Sequence, residues 1–280
     1  MKRKLCLATM SCLPLSTAEQ IRAFKEVGFD GFFTEMSEDV PAYRALADEL
    51  GMMYQSIHAP FDKAKLMWEE DCGTAVEELI SCVRACHDSR VPLLILHTYI
   101  GFEPSAGPTQ VGLDHYGAVI DEAKKLGVKI AFENTEGEEY LAALLSTFTG
   151  DNVGYCWDSG HEACYNRSKD LLALYGDRLF GTHLNDNLGI TPRENNAIFW
   201  HDDLHLLPYD GTVDWDNAAK RLAGLSFDGP LTFELTTQSK PNRHENDKYA
   251  AMGAMADLRE AYARATRLEE AVRSHQQHTK

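Results

Sequence analysis

Eight short runs of apolar and β-branched residues lie at 4–10, 31–35, 54–58, 93–98, 129–133, 153–158, 179–184 and 230–235. They alternate with segments whose apolar residues recur every three or four positions. The first pattern predicts buried strands, the second amphipathic helices. The punctuation agrees with both. Ser16-Thr17-Ala18-Glu19 has the form of a capping box opening the first helix. Gly28, Gly51 and Gly127 stand where the first, second and fourth helices should stop. Residues 125–133, Lys-Leu-Gly-Val-Lys-Ile-Ala-Phe-Glu, read as helix end, tight turn and buried strand. Eight strand–helix repeats predict an α/β chain folded as a single (β/α)8 TIM barrel over 1–280. A doubly wound sheet is the competing fold. It normally opens on a glycine-rich first turn, and residues 10–14 contain no glycine.

No linker or low-complexity tract interrupts the alternation. The longest irregular stretch, 185–213, follows the seventh strand, and loops of that length inside a domain are usually functional. Residues 245–276 read as one long helix, the last helix of the barrel carried on as a C-terminal extension, with a partner-binding face as the alternative. The 280 residues are 44% apolar and 25% charged, which excludes a disordered chain or a small disulfide scaffold. The formal net charge of −16 opposes phosphate backbones, and Lys2-Arg3-Lys4 is the longest basic run, so no nucleic-acid partner is expected. Seven cysteines, an odd number with no C-x-x-C spacing, suggest reduced thiols in a cytoplasmic protein. Lys2-Arg3-Lys4 before Leu5-Cys6-Leu7-Ala8 mimics the start of a signal peptide, but Thr9, Ser11 and Pro14 break the apolar run. A first strand is the preferred reading. No stretch reaches 18 apolar residues, so no membrane span is expected.

In a (β/α)8 barrel the active site forms at the C-terminal ends of the strands. Six consecutive strands end there on a titratable residue: His58, His97, Glu133, Asp158, His183 and Glu234. His161 follows one turn after Asp158, and the long loop adds Asp203 and His205. Any one of them has an ordinary structural explanation. Together, carboxylates and imidazoles crowded on one rim need a positive charge between them. That chemistry suits Mn, Zn, Co or Fe better than Ca, with Mg also admitted by the carboxylates. Asn185 and Asp186 fit either a role orienting His183 or plain turn chemistry. Trp68, Trp200 and Phe61 are candidate walls of a sugar pocket, with core packing as the alternative. Lys63 and Lys65 read as a solvated loop within possible reach of an anion. No nucleophile elbow or Walker loop is present.

The segments SIHAP (56–60), LHTY (96–99), FENTEG (132–137), WDSGH (157–161), THLNDN (182–187), DLHLLPYDGTVDW (203–215) and FEL (233–235) resemble the xylose-isomerase-like TIM barrel superfamily. That group holds sugar isomerases, ketose 3-epimerases, inosose and dehydroshikimate dehydratases, and endonuclease-IV-type nucleases. The epimerase resemblance implies a divalent metal on Glu133, Asp158, His183 and Glu234. Glu133 and Glu234 would also be the catalytic proton carriers, working through a metal-stabilised enediolate. His161, with His58, His97 and Trp68, would meet the substrate. The family's epimerases carry an arginine near the position of Gly189, and Arg193 is the nearest replacement. The nuclease resemblance implies further metal positions at His58, His97, His161, Asp203 and His205, enough for up to three ions. The expected function is a metal-dependent sugar, sugar phosphate or polyol isomerase or epimerase. A lyase acting on a keto-polyol and an endonuclease-IV-type phosphodiesterase are the alternatives. A non-catalytic carbohydrate-binding barrel is a third. The expected partner is a small sugar, and a homo-oligomer is possible.

Overall fold

Strands β1 (Leu5–Ala8), β2 (Gly31–Glu35), β3 (Met53–His58), β4 (Leu93–His97), β5 (Lys129–Glu133), β6 (Val153–Asp158), β7 (Leu179–His183) and β8 (Leu231–Phe233) form one parallel sheet. The computed structural model describes residues 2–102, 106–193 and 197–278. Each strand lies within two residues of its predicted ends. The order is β7-β6-β5-β4-β3-β2-β1-β8, with β8 paired to β1. The remaining seam is closed by a parallel bridge from Leu184 to Phe233. There the Leu184 amide donates to the Thr232 carbonyl at 2.9 Å, and the Thr232 amide donates to Thr182 Oγ1 at 3.0 Å. The sheet is therefore a near-closed (β/α)8 barrel.

Helices α1 (Thr17–Val27), α2 (Val40–Leu50), α3 (Ala75–Asp88), α4 (Gln110–Leu126), α5 (Glu138–Thr147), α6 (Ser159–Cys164), α7 (Leu171–Tyr175) and α8 (Trp215–Ala223) alternate with the strands. The Ser16 capping box forms as read, and Gly28, Gly51 and Gly127 close their helices in the left-handed conformation. The long C-terminal helix is corrected. Residues 251–253 interrupt it, with Gly253 at φ +79°, leaving α9 (Asp247–Ala250) and α10 (Ala254–His278). Helix α10 packs on both α8 and α1, so it is the last helix of the outer ring. The Arg3 amide donates to Glu269 Oε1 at 3.0 Å and ties the first strand's approach to this helix.

Alternation along the strands positions the chemistry. Leu94, Leu96, Ile130, Phe132, Tyr155 and Trp157 face the helices and join the main core. Leu93, Ile95, Ala131 and Cys156 form a separate apolar cluster inside the barrel. Because side chains alternate with period two, His97, Glu133 and Asp158 cap these inward rows. The cysteines are all free thiols, and five of the seven are buried. Among the described residues, no helix is long and apolar enough to cross a membrane.

Candidate metal centre

Glu133 is fully buried and stands among four imidazoles. Its Oε2 lies 3.3 Å from His58 Nε2 and 3.7 Å from His97 Nε2. Its Oε1 lies 3.3 Å from His161 Nδ1 and 3.2 Å from His183 Nδ1. His183 Nδ1 is also 3.0 Å from Glu234 Oε2. On the far side, Asp203 Oδ1 is 3.5 Å from His161 Nε2 and 3.0 Å from His205 Nε2. The nine rim residues expected from sequence are thus brought together. They form three sets, within each of which the donor atoms lie within 4.8 Å of one another: His58, His97 and Glu133; Glu133, Asp158, His183 and Glu234, which shares Glu133 with the first; and His161, Asp203 and His205. Cys156 joins Glu133 and His183 in a further set.

Several of these atoms have no hydrogen-bond partner although they are buried: His97 Nδ1, Glu133 Oε1, both ring nitrogens of His183, and Asp203 Oδ1. Native cores rarely leave such groups unsatisfied, so their concentration at one spot fits a cation held between them. Neighbouring contacts also aim the donors. The His58 Nδ1 proton points to the Ala59 carbonyl at 2.8 Å, which leaves Nε2 free to ligate. His161 does the same through the Asn134 carbonyl at 3.0 Å, turning Nε2 to Asp203. Phe33 stacks on His183 at 4.6 Å and Phe61 on His97 at 4.5 Å, fixing both ring planes. His205 holds a left-handed backbone at φ +45°, unusual outside glycine and common at functional sites.

The charges respond to this crowding. Burial drives His97 down to about 3, so it is neutral and ready to ligate. Burial opposes charge on His205, yet Asp203 and Glu234 lift it to about 9. Burial likewise resists ionisation of Glu234, but His183 and His205 hold it down to about 2. Burial raises Asp158 to about 6, against the pull of His161. Without a metal, protonated imidazoles supply the positive charge that the carboxylates require.

A family model described as the xylose isomerase-like TIM barrel matches residues 21–258. The chain belongs to that family. It is 36% identical over 154 residues to the uncharacterized protein y4fM of Sinorhizobium fredii, a match covering 52% of this chain and 43% of that protein. The chain spans about half the length of the curated relatives it matches at 30% identity or more. Among solved structures it is similar to a D-psicose 3-epimerase from Clostridium cellulolyticum studied with D-tagatose (TM-score 0.72, 15% identity, 96% of this chain and 99% of that one). It is also similar to an IolI protein with a bound zinc atom (TM-score 0.69, 19% identity, 97% and 99%). At these identities the structural likeness is one of fold.

Within this xylose isomerase-like barrel the two open roles at 185–186 separate. Asn185 Nδ2 donates to Asp158 Oδ2 at 2.9 Å and so orients a carboxylate of the cluster, not His183. A Cβ on Gly160 would stand 1.9 Å from Asn185 Oδ1, which explains the glycine in WDSGH. Gly160→Ala is expected to weaken metal binding about tenfold or more by displacing this support, measured by competition with a coloured chelator. Asp186 instead pins the long loop. It accepts from the amides of Asn187, Tyr209 and Val213 and from Trp215 Nε1, all at 2.8–3.0 Å. Asp186→Asn would turn an amine toward those donors. It is expected to cost about 2 kcal/mol, or roughly 4–8 °C in melting temperature, while leaving metal stoichiometry unchanged.

Trp68, expected to meet substrate, is a core residue. Its indole N–H donates to the Thr98 carbonyl at 2.8 Å, and Tyr116 and Tyr140 pack on its ring. Phe61 and Trp200 are exposed, and Phe61 lies over the cluster's edge. Gly189, at φ +73°, has backbone that a side chain adopts only with strain, and Arg193 is held by Asp202. Lys63 pairs outward with Glu78. Lys240, 3.9 Å from Asp203 Oδ2, and Glu136, raised to about 7 by burial, were not apparent from sequence. Glu136 lies inside the FENTEG segment, where Glu133 drew the attention, and no motif contains Lys240.

Proposed function

We propose that this chain is a divalent-metal-dependent isomerase or epimerase of a sugar or polyol. The observation that carries the reading is the convergence of Glu133, Asp158, His183 and Glu234 from four separate strands onto one ion-sized space. The likeness to a D-psicose 3-epimerase supports a sugar substrate, and the zinc-bearing IolI protein supports a metal. Glu133, Asp158, His183 and Glu234 would hold the ion. A divalent ion at this position supplies Lewis acidity to a carbonyl oxygen and the adjacent hydroxyl oxygen. Glu133 and Glu234, from different strand ends, both approach His183 Nδ1, at 3.2 and 3.0 Å. One carboxylate takes the proton from the hydroxyl-bearing carbon next to the carbonyl; the C–H electron pair becomes the C=C bond of an enediolate as the carbonyl π pair moves onto its oxygen. The other, as the carboxylic acid, returns a proton to that carbon. Return to the opposite face inverts the centre, and return to the neighbouring carbon moves the carbonyl. His161 lies within the same cluster and is placed to hold a substrate oxygen. Run in deuterated water, the reaction is expected to place solvent deuterium on the reacting carbon of the product. A turned-over product free of deuterium excludes proton transfer through solvent-exchangeable carboxyls.

A second reading rests on the complete set of nine donors. Three ions in their three groups would suit phosphodiester hydrolysis at abasic sites. The surface argues against it. The net charge is −16, and Lys2-Arg3-Lys4 lies at the start of β1, the end of the barrel opposite the cluster. Elemental analysis separates the two: three tightly held ions per chain together with incision of abasic duplex would support the nuclease.

A further inference from the structure

A cavity of about 470 Å³ opens beside His205 and Glu234, over the ends of β1, β2 and β8. Thr9, Ser11, Glu35, Ser37 and Thr236 bring its polar groups. Its volume is that of a small-molecule site. The Ser37 hydroxyl, behind the cleft's wall, is buried without a hydrogen-bond partner. Glu35 has no ion-pair partner among the described residues. No lysine or arginine lines the space.

We infer that the substrate is unphosphorylated and polyhydroxylated, and that its non-reacting carbons extend from the metal cluster into this cleft. The inference rests on the isomerase or epimerase reading for which end of the molecule reacts. Hydroxyl groups can both donate to Glu35 and exchange hydrogen bonds with Thr9, Ser11 and Thr236. A phosphate dianion there would face the Glu35 carboxylate with no lysine or arginine to receive it, and the His205 imidazole at the cleft's edge is already paired with Asp203 at 3.0 Å. Three basic groups elsewhere on the rim are engaged. Arg193 is paired with Asp202. Arg243 is paired with Glu245 and Asp202. Lys240 lies over the Trp200 ring, donates to the Trp200 carbonyl and faces Asp203. None of these three is free to anchor a phosphate from the far side.

The test is calorimetry on the metal-loaded full chain, with D-fructose, D-fructose 6-phosphate and an inosose as probes. At least one neutral probe is expected to bind at least tenfold more tightly than the phosphate. Glu35→Lys is expected to shift that ratio at least tenfold toward the phosphate, and Glu35→Gln by a few-fold, which covers a Lys variant that folds poorly. Tighter or equal binding of the phosphate to the natural chain overturns the inference. So does a ratio unmoved in both folded variants, or the absence of binding by every neutral probe. Turnover is read separately. Neutral binding without deuterium exchange would remove the isomerase reading and leave the preference for a neutral ligand standing.

Discussion

Glu133→Gln is expected to lower turnover by about 10³–10⁴-fold, the usual contribution of a positioned general base, while the barrel still folds. The substitution keeps the side chain's volume but removes the charge that faces His58, His97, His161 and His183. His97 is already neutral, and the raised imidazoles of His58, His161 and His183 can respond by releasing protons, so the metal-free variant should melt near the natural chain. Circular dichroism melts and turnover assays at saturating metal separate the two effects. Glu234→Gln should cost a similar factor, and the double variant should be little worse than either alone, because residues that act as a unit do not add. Turnover within tenfold of the natural chain would exclude Glu133 from the proton-carrying role.

Metal removal is expected to have the largest effect on stability. A ligand present at a thousand times its Kd stabilises the folded state by about 4 kcal/mol. At about 2–4 °C per kcal/mol for a domain of this size, chelation should lower the melting temperature by roughly 8–16 °C. The pH dependence carries a sign. Burial disfavours charge on His161, His183 and His205, but neighbouring carboxylates raise all three. In the metal-free chain their stabilisation is complete below about pH 6.5 and fades as pH rises through the folded values, about 9 for His205. Glu234, held near 2 despite its burial, contributes above about pH 4.3 and loses that contribution as pH falls toward 2. Ligation requires the imidazoles to be neutral, so metal binding should release protons and strengthen with pH. Calorimetry in buffers of different ionisation enthalpy measures that release. A melting temperature unchanged by chelator would sink the proposed metal site.

The strands were legible because parallel strands buried on both faces read as apolar runs, each closed by a polar residue at the rim. The rim donors were legible for the same reason: His97, Glu133 and Asp158 stand in step with Leu93, Ala131 and Cys156. What the sequence left open was decided by contacts between distant residues. Asn185 meets Asp158 from 27 positions away, and Trp68 meets Thr98 from 30. The periodicity around residue 250 continues through Gly253, so only the backbone reveals the break between α9 and α10. The cleft over β1, β2 and β8 is lined by small polar residues that resemble any turn until three strand ends meet.

The seam between β8 and β1 joins Leu5 to Leu231. A ribosome making about 5–20 residues per second must therefore add more than two hundred residues before the first strand finds its second neighbour. Until then β1 offers a bare edge to any passing strand, the hazard that slows and endangers the birth of proteins rich in distant pairings.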